Sequence, residues 1–503
     1  MTTRRRFLAN GLAAAAVWPL LGSVRAATFE SDPFTLGVAS GCPRPQSVVL
    51  WTRLTFPQAE INMANPFAPV EQPTEHGPLD VEWQLAEDEN FSSVVQSGIA
   101  EATPDFAHSV HVEVEGLRPD RWYFYRFRSG NAESPVGRTR TAPALDAAAS
   151  PFRFAFASCQ QYEQGYYAPY RDMAARDLDL VVHLGDYIYE MSWGANHVRD
   201  HVTGAPLLLY EYRDRYALYK SDENLKAAHA AFPWLITWDD HEVYNNYLLD
   251  PGEPESARRA FLERRRAAYQ AWYEHMPVPP SLGRDFSSMR IYGNYQFGQM
   301  LDMAMLDLRQ YRSPGGAGTA RSMLGAEQEN WLDRTLKAAT AKWTVIAQQT
   351  LVSQRDTAAG PEESFSDDTW DAYRESRSKL LSTLEASNIA NPLIIGGDLH
   401  AYFAADVKRD FANENAPTLA TEFVTGSISS DGPTEESIAT VLTENPHIKY
   451  AEGRDHGYAM VELANSQAKV DFMVVSDRKD PDATTSNGAG FIVADGVPGV
   501  VRA

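Results

Sequence analysis

The sequence predicts an α/β protein in which a layered α/β unit follows a small all-β sandwich. Three observations carry this expectation. At 503 residues the chain is too long for one simple core and fits two to four units of ordinary domain size. From Phe34 to about Thr141, apolar residues alternate in short runs broken by Gly, Pro and polar clusters, as in half-buried strands. After Pro151, continuous apolar runs alternate with stretches of helical spacing, as in strands covered on both faces.

Residues 29–141 read as the N-terminal sandwich. "SVVLWTRL", "DVEWQLAED", "HSVHVEVEGL" and "RWYFYRFRSG" each have one apolar and one polar face. "GLRPDRWYFYRF" turns at Pro119-Asp120 into a Tyr-rich strand, which resembles the tyrosine-corner region of fibronectin-type sandwiches. This part holds no cluster of His, Asp or Cys and reads as structural. "TAPALDAAASP" (141–151) reads as a linker. Residues 151–476 form the α/β unit: strand "FRFAFASC", helix "YAPYRDMAARD", strand "LDLVVHLGD", then "WLITWDDHE", "QMLDMAMLDLR", helix "AEQENWLDRTLKAA", strand "KWTVIAQQT", helix "DAYRESRSKLLSTLEA" and strand "NPLIIGGDLH". Residues 251–276 read as a charged surface helix, and "HGYAMVEL" with "KVDFMVVS" as an antiparallel pair closing the sheet. The segment 477–503, rich in Asp, Gly and Pro, reads as a C-terminal tail of no assignable role.

Residues 1–26 read as a targeting segment. Arg4, Arg5 and Arg6 precede Phe7-Leu8, a short apolar stretch follows, and "VRA" offers small residues for cleavage at Ala26. The twin arginine with Phe-Leu resembles a Tat signal, so the Tat export machinery is an expected partner and the location periplasmic or secreted. The net charge of −22 argues against a nucleic-acid partner, whose phosphates it would repel. No apolar stretch approaches the ~20 residues of a membrane span. The two cysteines, Cys42 and Cys159, fall in what read as separate units, so two unpaired thiols are expected, one of them a candidate ligand.

The chemistry gathers where strands end, the place at which layered α/β proteins bind ligands. Four strands end in metal-ligand types: Cys159 after "FAFAS", Asp186 in "HLGD", Asp239, Asp240 and His241 after "LIT", and Asp398 with His400 after "LIIGG". One carboxylate there is commonly a helix cap. Four such endings in one unit, two preceded by glycines that let the backbone crowd a ligand, point to metal binding.

The set "GDYIYE … WDDHEV … GGDLH" resembles the calcineurin-like metallophosphoesterase core. With "FTLGVASGCPRPQSVVLWTRL", "FASCQ", "LDLRQYRS" and "MLGAEQENWL" in order, it more closely resembles the alkaline phosphatase D (PhoD) family, from Phe34 to about Ser476. The resemblance implies a four-layer αββα metallophosphoesterase sandwich behind the fibronectin/Ig-like one. It implies Asp186 as a carboxylate bridging two metals and Tyr189 as a phenolate ligand, at the D-x-x-Y spacing of purple acid phosphatases. A phenolate is a hard anionic donor suited to Fe3+. Ser158-Cys159-Gln160 stands where D-x-H is usual, and the family carries Cys there as an iron ligand. Asp240 takes the place of a metal-binding Asn, with Asp239 a weaker choice, and His241 that of the catalytic or phosphate-orienting His. Asp398 favours a harder metal than His would, and His400 completes the iron site. This excess of carboxylates makes Ca2+ the second-metal candidate. In "DLRQYRS", Arg309 is favoured as a phosphate contact and Arg312 as a surface salt bridge. Asn245 is a further candidate for touching phosphate or metal.

The implied activity is hydrolysis of phosphate esters by a metal-activated hydroxide, with His241 stabilising the phosphoryl oxygens or protonating the leaving group. The nearest alternative is phosphodiesterase or phospholipase D-type activity on the same site. From another class, a non-catalytic cell-envelope binding protein would show gaps in the ligand set, and only competent substitutions are found.

Overall fold

In the strand Phe152–Ala157, alternate side chains face opposite ways: Phe154 and Phe156 enter one buried cluster, Ala155 and Ala157 another. Two large rings on one face call for an opposing sheet, and two small residues on the other admit helices. The computed structural model describes residues 27–56, 77–249, 254–314, 321–387 and 389–503. The predicted targeting segment 1–26 lies outside them.

The first cluster joins Phe154, Phe156, Val182, Leu184 and Leu235 of a ten-stranded sheet to Met303, Met305, Val345, Leu393, Ile395 and Phe423 of a seven-stranded sheet. Each such fully buried ring or aliphatic chain contributes about 1.5–3 kcal/mol. The outer face of the larger sheet is covered by helices Ala168–Ala175, Leu209–Lys220, Glu223–Ala231 and Glu255–His275. Helices Gly325–Ala338 and Arg374–Ala386 cover the outer face of the smaller sheet through Leu332, Leu336, Leu380 and Leu384. The result is the expected four-layer αββα arrangement.

In the larger sheet, Phe152–Ala157, Leu180–Leu184 and Pro233–Thr237 run parallel and adjacent. In the smaller, Leu301–Met305, Trp343–Ala347 and Pro392–Gly396 do the same. All six deliver their carboxyl ends to one rim of the double sheet, where the candidate ligands follow.

Three sequence expectations change. The N-terminal unit does not hang from a linker. A five-stranded sheet that includes Leu79–Ala86 and Trp122–Ser129 packs Val81, Leu85, Tyr125 and Phe127 against Val48, Leu50, Val112 and Val114. Those last residues belong to Ser47–Arg53 and Ser109–Glu115, which continue the large catalytic sheet through Val38–Gly41, parallel to Pro233–Thr237. Gly41 allows this approach: a Cβ there would lie 2.3 Å from the Pro277 carbonyl oxygen. The tyrosine corner is present, with the Arg118 N–H donating to the Tyr123 hydroxyl at 3.1 Å.

The segment 477–503 is not a tail. Thr485–Ala494 and Val497–Arg502 form a hairpin that adds two strands to the edge of the large sheet, beside Gln467–Val475. Finally, the helix Glu255–His275 is amphipathic rather than a wholly surface element, burying Phe261, Arg265, Ala268 and Trp272. Cys42 and Cys159 are both buried and unpaired, as expected. Among the described residues, no helix is long and apolar enough to cross a membrane.

Candidate metal centre

The strand ends hold their residues in an unusual backbone state. Cys159, Asp186, Asp398 and His400 all have positive φ, between 52° and 65°. Non-glycine residues in this region are strained, and such strain collects at functional sites. Gly185, at φ +103°, has a different task from the one expected. It allows two strand ends, not a ligand, to meet: a Cβ there would lie 2.4 Å from Asp239 Cβ. Gly397 serves likewise against Ser158, whose Oγ would lie 2.3 Å from an added Cβ.

One group of donors comprises Cys159, Asp186 and His400, whose ligand atoms lie within 4.8 Å of one another. Tyr189 joins them. Its hydroxyl donates to Asp186 Oδ2 at 2.9 Å, lies 2.9 Å from His400 Nε2 and accepts from Ser430 Oγ at 3.0 Å. His400 Nδ1 lies 2.7 Å from the Asp431 carbonyl. A carbonyl only accepts, so Nδ1 carries the proton and the Nε2 lone pair faces the group. Burial, with the Asp431 carbonyl opposing it, brings His400 down to about 4, so the ring is neutral. Burial and the neighbouring Asp186 push both the Cys159 thiol and the Tyr189 phenol far up.

A second group, Asp186, Asp239, Asp240 and Asp398, shares Asp186 with the first. Burial raises Asp186 and Asp239 well above the carboxylate range, and carries Asp398 to about 6, against the pull of His241 on the first and Arg309 on the others. Burial also opposes ionisation of Asp240, but Arg309 and His241 hold it below the usual range. Asp240 Oδ2 accepts from the Asn246 N–H at 2.6 Å, while its buried Oδ1 has no hydrogen-bond partner among the described residues. Four carboxylates, a thiol and a phenol buried together need positive charge, and an orphaned carboxylate oxygen faces the cluster. The residues therefore fit metal cations.

Arg309 is in the centre, with every side-chain nitrogen committed to carboxylates. It forks onto Asp239 at 2.5 and 3.1 Å and onto Asp368 at 2.8 and 2.9 Å, and its Nη2 lies 3.5 Å from Asp240 Oδ1. Arg312 also pairs with Asp368, and it is fully buried, not a surface pair. His241 Nδ1 lies 2.6 Å from Glu190 Oε2, so the ring donates there. Burial disfavours its charge, but Asp240, Asp186 and Glu190 together raise it well above the ordinary value. Asn245 is exposed, and its backbone N–H donates to Glu190 Oε1 at 2.9 Å.

Three carboxylates escaped sequence reasoning. Glu242 accepts from the N–H groups of Asp186, Tyr187 and Asp239 at 3.1, 2.6 and 2.8 Å, tying two strand ends together. Glu190 orients His241, and Asp368 faces both arginines. Glu190 and Glu242 stand in "GDYIYE" and "WDDHE", but the strand-end partners that Glu242 ties to Asp239, and the His241 ring that Glu190 holds, are more than 50 residues away.

The family model of the PhoD-like phosphatases matches residues 154–472, and that of the PhoD-like phosphatase N-terminal domain matches residues 21–143. The chain belongs to the PhoD-like phosphatase family. Alkaline phosphatase D of Bacillus subtilis (strain 168) is 41% identical over 489 residues, covering 93% of this chain and 82% of that protein. A solved structure described as that of PhoD superposes with a TM-score of 0.88 at 40% identity, covering 95% of this chain and 93% of the other. This PhoD-like chain is therefore a phosphatase of the alkaline phosphatase D type, a hydrolase acting on phosphate esters. The non-catalytic alternative is set aside.

Proposed function

We propose that this phosphatase uses two cations: Cys159, Asp186, Tyr189 and His400 would hold Fe3+, and Asp186, Asp240 and Asp398 would hold Ca2+. The observation that carries the reading is that two donor groups of different chemistry share one buried carboxylate. The first offers sulfur, phenol oxygen and a neutral imidazole nitrogen, a set suited to ferric iron. The second offers only carboxylate oxygens, the ligands of a hard cation. Asp239 is held at both oxygens by Arg309, whereas Asp240 Oδ1 has no hydrogen-bond donor among the described residues, which favours Asp240 as the ligand.

When bound, the cations supply Lewis acidity toward the phosphoryl oxygens and lower the pKa of water. The chain supplies position and protons. With Nδ1–H given to Glu190, His241 presents Nε2–H to the phosphoryl group or the leaving oxygen. Arg309 acts through Asp239 and Asp368, fixing the wall of the oxygen-donor group. Asn245 remains a candidate for phosphate contact at the exposed side.

Metal analysis with a visible absorption spectrum tests the assignment. Iron and calcium are expected in the purified protein, with a phenolate-to-iron band that Tyr189→Phe abolishes. A colourless, iron-free active enzyme would overturn it. Full turnover after chelation, or in Asp186→Ala, would remove the cations from the chemistry. Comparing a chromogenic phosphomonoester with a diester separates the monoesterase reading from the diesterase alternative. Export by the Tat route, supported by Arg4, Arg5, Phe7 and Leu8, predicts that lysines in place of both arginines retain the protein inside the cell.

A further inference from the structure

Outside the catalytic centre, Glu163, His197 and Asp200 bring a carboxylate, an imidazole and a second carboxylate within 4.8 Å of one another. The imidazole is set up to ligate. His197 Nε2 lies 2.8 Å from the Trp193 carbonyl, so Nε2 carries the proton and the Nδ1 lone pair is free, 3.9 Å from Glu163 Oε1. That separation is within the roughly 4.2 Å that two zinc–ligand bonds can span.

The second observation concerns Glu163 itself. The residue is buried, 3% exposed, and its Oε2 has no hydrogen-bond partner among the described residues. Oε1 accepts from the His201 N–H at 3.0 Å. The His201 ring cannot serve Oε2, although its Nδ1 is 3.4 Å away. That nitrogen accepts from Arg215 Nη1 at 3.1 Å, and Nε2 faces the Tyr219 hydroxyl at 2.9 Å. A buried carboxylate oxygen left without a donor is costly unless a cation balances it.

We propose that Glu163, His197 and Asp200 form a separate divalent transition-metal site that staples the 191–201 segment beside the catalytic centre. One imidazole and two carboxylates suit Zn2+ or a similar ion and leave a position for water. The Glu163 carbonyl already accepts from Val198 N–H at 2.8 Å, so the cation would close a second link between the same two segments. What it would hold is Trp193. Its carbonyl accepts from both His197 and Gln164, and its indole stacks on His400 at 5.7 Å and 12°. Gln164 also accepts from the Asp431 N–H, and the Asp431 carbonyl orients His400. The staple therefore supports the ring of a catalytic-centre ligand without touching substrate.

The test is calorimetric titration of the holoenzyme with Zn2+ alone, with metal analysis before and after. The expected result is a net gain of one zinc per chain, with the catalytic metals retained. His197→Ala and Asp200→Ala, both on the partly exposed segment, should each weaken that uptake at least tenfold while leaving the content of the catalytic centre unchanged. Asp186→Asn should keep the extra equivalent, which separates this site from the one proposed for catalysis. No net gain in the wild type would overturn the proposal, leaving a buried water as the partner of Glu163. Undiminished uptake in both segment variants would overturn it as well.

Discussion

Glu190 shapes the chemistry from one residue away. Its two oxygens take the His241 ring at 2.6 Å and the Asn245 N–H at 2.9 Å, fixing which imidazole nitrogen faces the phosphate side. In Glu190→Gln only one oxygen remains to accept, so either the ring or the loop backbone loses its partner. Steady-state kinetics should show kcat falling roughly 10–100-fold, with KM within about twofold and metal content unchanged, as for loss of an orienting outer-sphere group. An unaltered kcat would leave His241 without need of orientation. The residues of the centre were legible unevenly. Cys159, Asp186, Asp398 and His400 announce themselves as ligand types at strand ends. Glu190, Glu242 and Asp368 do not, because each meets partners across 51 to 59 residues of chain and no local pattern encodes that meeting. Tyr187, between Asp186 and Tyr189 in the chain, turns to the helical side, where its hydroxyl lies 2.8 Å from His229 Nε2.

Among the elements, the strand Leu180–Leu184 and its Gly185-Asp186 ending carry the most weight. The apolar run fixes the strand between two neighbours, and Gly185 itself lies against the Asp239 backbone as the chain turns into Asp186. In Gly185→Ala the new Cβ meets Asp239 at 2.4 Å, and alanine must also adopt φ near +103°. Backbone strain of this kind is of order 1–3 kcal/mol before the steric clash is added. Chemical denaturation should show a lower midpoint, and metal analysis a loss from both donor groups, since Asp186 serves both. A variant with wild-type stability and full metal content would mean that the strand ends do not depend on this contact. The alternation of buried strands and amphipathic helices was readable because both periods are local. The hairpin Thr485–Arg502 was not, because Gly488 and Gly490 dilute its first strand. Its turn at Asp495-Gly496, with Gly496 at φ +73°, was the available signal.

At the scale of the whole molecule, the continuous ten-stranded sheet joins the N-terminal sandwich to the catalytic unit, and the seam between them buries an amine. Lys220 ends the helix Leu209–Lys220, with its Nζ 4.3 Å from the centre of the Trp51 ring and 3.4 Å from the Tyr187 hydroxyl. Trp51 comes from the N-terminal part of the shared sheet and Tyr187 from the catalytic part. Burial lowers Lys220 from 10.5 to about 7. The neighbouring His229 and His275 are also pushed down by burial and stay neutral. Between pH 7 and 10.5 the unfolded chain therefore holds a proton here that the folded chain does not. Linkage makes stability rise with pH across that window. Below about pH 7 both states are protonated and the folded state bears the whole penalty, of order 5 kcal/mol for a shift this size. Lys220→Met keeps the length and the contact with Trp51 while removing the charge. Urea unfolding of both proteins from pH 6 to 10.5 should show the variant more stable at pH 6, with the difference shrinking steadily above pH 7. A difference that does not change with pH would mean that Lys220 keeps its proton in the fold.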